Sequence, residues 1–441
     1  MADPMNTGAD RWPGATWYEA TTGQRKFARV SGTRRCRVAI IGGGLAGIAT
    51  ALGLVERGEP NVCVLDAAGP GAGASGRNGG FVFAGYSLDN DALISQLGAS
   101  RARMLHGWTR EAVTLIRDRI DRYGIDCQVN DAGVLLADWF GDDNDLQGFA
   151  ARMHEQLGFR LDPVDRRSMR GYVASRRYGA GLHEPGSFHF HPLRHIQGLA
   201  EVIEQAGGAV LADSPVRSVD FANGCWRLRC DDGKVEADEV VLATGGYDRR
   251  LYPPVQRALQ PVATYIAVTE PLGGLLDELM PSPVAVYDTR FAFDYYRPLP
   301  DTRLLWGGRI SMAARSPTAI RRLMARDIRR VFPSLGGIRF EYAWGGWMSY
   351  ARHQMPLLGQ RPDGLWHALA FGGHGMATTT LAGELMAEAL TGSDRRLSEF
   401  QGWPPLWAGG AAGRMAVQSH YWMCQLRDWL RDRFGGGNGA V

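Results

Sequence analysis

Lysine is almost missing from this sequence: of 49 basic residues, all but Lys26 and Lys234 are arginine. Chemistry that needs an ammonium beside a cofactor therefore has only two sources, one in a polar N-terminal lead and one in a predicted hairpin turn, and neither suits the task. Excess charge is missing as well. The net charge is +3 over 441 residues, with arginines scattered among acids. No basic stripe forms, which excludes nucleic acid as a partner. The six cysteines, Cys36, Cys63, Cys127, Cys225, Cys230 and Cys424, show neither a CxxC pair nor metal-ligand spacing. They read as reduced, packed thiols of a cytoplasmic protein. His183, His189, His191 and His195 lack the acidic or cysteine partner that would complete a metal site, so no metal is expected. Long apolar runs are scarce too; apart from the one that starts at Val38, no segment approaches the ~18 residues of a membrane span. The run from Val38 to Val55 follows Arg34-Arg35 in the manner of an export signal. It carries glycines where a nucleotide-binding turn needs them and has no small-residue cleavage site after it, so it is read as part of the fold.

Hydrophobic residues make up 45% and charged residues 22% of the chain, enough to bury a large core across two or three domains. After a lead with an aromatic cluster at Trp12, Trp17 and Tyr18, Arg37 to Ile41 reads as a buried strand. Leu45 to Arg57 has helical periodicity, and Asn61 to Leu65 is a second buried strand. Helical spacing recurs from Leu88 to Tyr123, from Pro192 to Ala206 and from Thr318 to Val331. Strand-like pieces fall at 209–211, 216–221, 226–230, 240–243, 264–269 and 291–308. Apart from the tail at Gly435-Gly436-Gly437 there is no low-complexity tract.

Gly42, Gly44 and Gly47 fit GxGxxG, and each answers a physical need. The first permits the tight turn, the second lets backbone approach a pyrophosphate, and the third lets helix pack on strand. Leu45 and Ala46 then open a helix whose free N–H groups face the phosphates. Asp66 stands about 20 residues beyond the last glycine, at the end of the second strand, placed to accept ribose hydroxyls. A second small-residue stretch follows at 71–80 and includes Ala74, Ser75, Gly76, Arg77, Asn78, Gly79 and Gly80. A third, 241–246, ends a strand with Thr244 and Gly245, and Val216 lies shortly before it. A fourth, 371–376, holds Gly373, His374, Gly375 and Met376 ahead of an amphipathic helix expected from Ala377 to Leu390.

Together these pieces resemble the FAD-dependent D-amino-acid-oxidase-like amine oxidoreductase family, closest to its gamma-glutamylputrescine-oxidising members. Further likeness lies in His189-Phe190-His191-Pro192-Leu193, in Trp344-Gly345-Gly346 and in the terminal segment from Tyr421 to Arg431, so it covers nearly the whole chain. The resemblance implies an α/β fold: a Rossmann-type FAD-binding domain interleaved with an α+β substrate domain built on an antiparallel sheet. Residues 1–35 would form an N-terminal extension. Residues 36–84, 193–250 and 342–392 would bind FAD, 85–192 and 251–341 would bind substrate, and 393–441 would be a helical C-terminal segment. It also implies hydride transfer from the carbon beside nitrogen to flavin N5, followed by imine hydrolysis. The glycine, aspartate and small-residue positions named above, with Val216, become the FAD contacts. His374 and Arg77 become the catalytic candidates, with Arg77 equally readable as a loop-holding contact.

Such a reaction needs a neutral amine over the ring, and a desolvating aromatic pocket lowers an ammonium pKa. Tyr86, Phe291, Phe293, Tyr295, Tyr296, Trp306, Trp344, Trp347 and Tyr350 offer surfaces, and Tyr86, Tyr296, Trp306 and Trp347 are assigned to the substrate pocket. Departures from the family narrow the substrate. Amino-acid-oxidising members carry a carboxylate-binding arginine where Met348 stands, and sarcosine oxidases a lysine where Ala377 stands. Both absences favour an amine such as gamma-glutamylputrescine or a related polyamine derivative. An amino-acid oxidase or dehydrogenase using Arg77, Arg297 or Arg352 for the carboxylate is the alternative, and a non-catalytic flavoprotein is the alternative of another class. No cysteine lies between Cys230 and Cys424, where sarcosine oxidases anchor the ring, so FAD is expected to be non-covalent. The lysine with which such oxidases activate dioxygen matches a position near Leu305. The acceptor is dioxygen or another molecule, with oxidase kept ahead of dehydrogenase. In the terminal segment, Trp422, Met423, Leu426, Trp429 and Leu430 form an apolar helical face expected to pack on the protein rather than on a membrane.

Overall fold

A computed structural model of the chain describes residues 15–434 other than 24, 249 and 394. Trp12 and the tail at Gly435-Gly436-Gly437 lie outside the described residues. The unbroken apolar run Val38–Ile41 is what a strand covered on both faces requires. It forms the inner half of Gly32–Ile41, at the centre of the first sheet. That strand pairs in parallel with Gly233–Leu242 on one side and Val62–Leu65 on the other. Ala209–Leu211 continues the sheet beyond Val62–Leu65, and Trp366–Leu369 continues it beyond Gly233–Leu242, both in parallel. Arg34 and Arg35 are thus sheet residues. Lys234 also lies in a strand rather than in the turn before it, paired with Glu236 at 2.7 Å.

Two helices back the sheet where its strands end. Leu45–Glu56 follows the glycine turn, and Gly375–Leu390 packs against it so closely that a Cβ on Gly383 would collide with Ala49. The second helix was expected to be amphipathic; it is buried around nearly its whole circumference because helix and sheet cover it from both sides. Arg119, buried on the helix Ala99–Tyr123, joins Glu56 to Glu384 across the back of this pair. The helical stretch expected from Leu88 to Tyr123 breaks at Gly98, whose φ of +77° ends Asn90–Leu97 before Ala99–Tyr123 begins.

The second sheet orders its strands Phe340–Tyr350, Gln260–Thr269, Leu304–Ser311, Asp294–Pro298, Ala285–Asp288, Val134–Ala137, Gly181–Glu184 and Asp162–Val164. All neighbours are antiparallel except Ala285–Asp288 with Val134–Ala137. Phe340–Tyr350 pairs along its length with Gln260–Thr269, so the boundary expected at residue 342 falls inside a strand of this sheet. At the N-terminus, the lead folds as a short helix, Trp17–Thr21, started by a Thr16/Glu19 capping box, with Trp17 and Tyr18 buried.

The terminal helix runs Gly410–Phe434, and here the expectation is reversed. Its protein-facing side carries Cys424, Asp428 and Asp432, whereas Trp422, Met423, Leu426, Trp429 and Leu430 are exposed. The polar anchors win that side: Asp428 accepts from the Phe291 N–H at 2.8 Å, and Asp432 meets Arg330 at 2.8 Å and also Arg177. Among the described residues no helix is long and apolar enough to cross a membrane.

Candidate active site

Between the two sheets lies a continuous cavity of about 1760 Å³, well above the ~300–1000 Å³ of a single small-molecule site. It begins at the carboxyl ends of the parallel strands, where Ile41, Leu65, Ala243 and Ala368 line it. Gly42, Gly44, Leu45, Ala46, Asp66, Ala74, Ser75, Arg77, Asn78, Gly79, Val216, Thr244, Gly245, Gly373, His374, Gly375 and Met376 all line it as well. Three expected contacts do not. Gly47, Gly76 and Gly80 stand behind the lining, where a Cβ would collide with the carbonyls of Gly42, Gly71 and Phe190 respectively, so they serve close packing.

The turn explains its own glycines. Gly42 has φ +115°, and a side chain there would strike the Ala243 carbonyl. Gly44 caps the helix Leu45–Glu56 without a side chain, leaving the first-turn N–H groups directed at the cavity. One of them, Leu45 N–H, donates to Ser75 Oγ at 2.9 Å. Asp66 holds the turn: Oδ2 accepts from Gly43 N at 2.7 Å, and Oδ1 accepts from Ala68 N and Gly69 N at 2.8 and 2.7 Å.

Arg77 lines the cavity and also holds its own loop. Its Nε donates to the Ala72 carbonyl at 3.0 Å and its Nη2 pairs with Glu19 at 3.1 Å, contacts that favour the loop-holding reading over the catalytic one. The loop around it is fixed from every side. Trp344 Nε1 donates to the Arg77 carbonyl at 2.9 Å, Tyr18 OH to that of Asn78 at 2.9 Å, and Arg297 Nε to that of Gly79 at 2.7 Å. Asn78 Nδ2 closes the loop on the Ser75 carbonyl at 2.7 Å. The aromatic lead and Arg297 are therefore braces for the 73–80 loop. His189 and His191 are occupied too: His189 bonds the Pro283 carbonyl at 2.9 Å, and His191 Nδ1 caps Pro192–Gln205 by accepting from Arg194 N at 3.2 Å. Burial beside Arg297 pushes both imidazoles down to about 3.

Of the four pocket aromatics expected, Trp347 lines the cavity. Tyr86, Tyr296 and Trp306 do not. Tyr86 is buried with its hydroxyl on the Leu105 carbonyl at 2.9 Å, and Tyr296 stacks on Trp306 at 4.4 Å in the core behind the sheet. Strand alternation turns their neighbours inward instead. Tyr295 faces the cavity across Gly307, on which a Cβ would overlap its ring. From Tyr295 the aromatic wall runs through Phe293 at 6.2 Å and Tyr287 at a further 5.8 Å to Phe83, stacked at 5.9 Å. Phe83 meets the His374 ring edge-on at 5.0 Å. Phe83, Tyr287 and Tyr421 went unrecognised in the sequence, although Phe81-Val82-Phe83 follows the 73–80 loop with the alternation of a strand.

His374 occupies the N-cap of Gly375–Leu390 without bonding that helix through its side chain. Burial pulls its pKa down to about 4, so the ring is neutral at ordinary pH. Tyr350, across from Gly373 and Ser87, is pushed up to about 12 by burial and stays a phenol. The acids of the cavity wall are Asp66, Asp220 and Asp248, none of them in the aromatic chamber. Arg309 lines the wall but is bonded to Asp327 at 2.6 and 2.8 Å. Arg352 lines it, exposed, with no ion-pair partner among the described residues. Met348 is also on the wall, Ala377 is buried in its helix and Leu305 is in the core. Among the described residues neither a lysine nor a cysteine lines the cavity.

Comparison with known proteins agrees with this architecture. The family model described as FAD dependent oxidoreductase matches residues 37–389. The gamma-glutamylputrescine oxidoreductase of Escherichia coli (strain K12) is 33% identical over 435 residues, 96% of this chain and 99% of that protein. Among solved structures, glycine oxidase from Geobacillus kaustophilus superposes with a TM-score of 0.68 at 20% identity, covering 81% of this chain and 95% of its own. The L-proline dehydrogenase of P. horikoshii gives 0.68 at 18% identity, with 81% and 94% covered. These two likenesses speak for the fold.

Proposed function

The chain belongs to the FAD dependent oxidoreductase family, and from that premise we propose that it oxidises a primary or secondary amine, gamma-glutamylputrescine or a related polyamine derivative, to an imine that water then hydrolyses. The observation that carries this reading is the aromatic chamber beside His374, walled by Phe83, Tyr287, Phe293 and Tyr295 and free of carboxylates. The name of the E. coli relative supports the same substrate. The cradle suits FAD: the turn Gly42–Ala46 would take the pyrophosphate, Asp66 the ribose, and Ala74–Gly79 with Gly373–Met376 the ring. Bound there, FAD supplies the acceptor for the hydride that leaves the carbon beside nitrogen.

The chain's own residues do the rest. No carboxylate lines the chamber to pair with an ammonium, and burial disfavours the charge, so the amine binds as its free base, with its proton left to the solvent and its lone pair available. A neutral His374 neither repels nor protonates that amine. The N-terminus of Gly375–Leu390, which lines the cavity, would favour negative charge on a flavin held there. An oxygen-electrode trace during turnover distinguishes dioxygen from another electron acceptor.

His374→Ala is expected to retain FAD and slow its reduction on the order of a hundredfold, the lower end of the range for losing one preorganised polar group. The pH dependence has a defined sign. With a pKa near 4 the imidazole is already neutral above about pH 5, so activity rising with pH reports the substrate amine. The variant should keep the position of that limb and lose only its height; a limb that moves in stopped-flow reduction would make His374 the titrating group. A distal carboxylate is expected to meet Arg352, since Arg77 and Arg297 are committed to the 73–80 loop. Arg352→Gln should raise KM for gamma-glutamylputrescine about tenfold while leaving kcat and the kinetics of an uncharged-tail amine unchanged. The test of the substrate class is a steady-state panel of kcat/KM values. Amines should exceed glycine, D-amino acids and N-methyl amino acids, and the reverse order would favour the amino-acid alternative.

A further inference from the structure

The helix Gly410–Phe434 has two unlike faces. Its inner face closes the active-site cavity, with Val417, His420 and Tyr421 in the wall. Its outer face presents Trp422, Met423, Leu426, Trp429, Leu430 and Phe434, between 42% and 71% exposed. Their spacing is that of one helical stripe, and single exposed apolar residues are ordinary whereas a contiguous bulky stripe is not.

The charges on this helix are sorted in the same way. Both of its acids in this stretch face the protein, Asp428 on the Phe291 N–H and Asp432 on Arg177 and Arg330. Arg431 is turned to Asp142 at 3.3 Å. Of the helix's own charges in this stretch, those left without an ion pair are cationic. Arg427 and Arg433 have no carboxylate partner among the described residues, and Arg433 lies over the rings of Trp429 and Phe434 at 5.5 and 5.9 Å.

We propose that this face lies on an anionic lipid surface, with the tryptophans and Leu426 at the headgroup boundary and Arg427 and Arg433 on lipid phosphates. Tryptophan with flanking arginine is the composition that binds in the plane of an interface, and no helix among the described residues is fit to cross one. A second copy of the chain fits less well. Two-fold pairing of a stripe whose helix, among the described residues, offers guanidiniums as its unpaired charges would set cation against cation.

The test uses the full-length holoenzyme in density-gradient flotation with phosphatidylcholine vesicles and with mixed phosphatidylcholine–phosphatidylglycerol vesicles. The protein is expected to float with the mixed vesicles, and about tenfold less with phosphatidylcholine alone or at high salt. The combined variant Trp422→Ser, Leu426→Ser and Trp429→Ser should stay at the bottom while oxidising amine at the parent rate. If that variant does not fold, Arg427→Glu with Arg433→Glu leaves the stripe intact and should likewise fail to float. The proposal is overturned if the parent protein does not float with anionic vesicles, or if the variants float as well as it does. It is also overturned if solution mass measurements show an oligomer that the serine variant dissociates.

Discussion

Gly44→Val is expected to give a folded protein that purifies without flavin. The backbone at Gly44, φ −75° and ψ 176°, is one that valine adopts freely, so the substitution does not strain the turn. Its Cβ would come within 3.0 Å of Ser75 Oγ, the acceptor for the first helical N–H. The rest of the branched side chain then crowds the helix N-terminus where a pyrophosphate approaches. Far-ultraviolet circular dichroism should match the parent, the flavin band should be absent, and turnover should fall at least about a hundredfold. The same change at Gly42 or Gly47 would be uninformative, because there the new side chain collides with backbone and the fold itself suffers. A Gly44→Val protein that purifies yellow would contradict the pyrophosphate assignment.

The second large effect lies at the other end of the cavity. Gly307→Val puts a side chain where the Tyr295 ring sits and drives that ring into the chamber. Gly307 itself stands outside the cradle, which the Tyr295 ring meets only at Gly79, so FAD is expected to be retained. Displacing one wall of a site that orients its substrate costs on the order of a hundredfold, read here as kcat/KM for the amine. Loss of FAD from this variant, or undiminished turnover, would show that Tyr295 does not form the substrate wall. The two variants separate the functions: one removes the cofactor, the other removes the substrate's place beside it.

How far such a site can be read from sequence depends on the range of the forces that build it. The glycine turn, Asp66 and the helix after Gly44 are local, and their spacing alone specifies their geometry. The aromatic chamber depends on strand register, where a shift of one residue exchanges faces. Tyr295 and Tyr296 stand side by side in the sequence; one faces the cavity and the other stacks on Trp306 in the core. A clue was present in Gly307, which pairs with Tyr295 across the strands and leaves room for its ring. Arg77 was legible as part of a motif, but its role needed Glu19 and Trp344, far away in the chain. On the terminal helix the apolar stripe was visible, yet its direction was set by Asp428 and Asp432 finding partners far away in the chain.

The most direct test is an anaerobic titration of the purified protein with gamma-glutamylputrescine, followed by the absorbance of oxidised flavin. The account predicts a yellow protein whose band bleaches with the amine and returns when an acceptor is admitted. A protein that cannot take up FAD, or a band that bleaches with amino acids and ignores the amine, would contradict it.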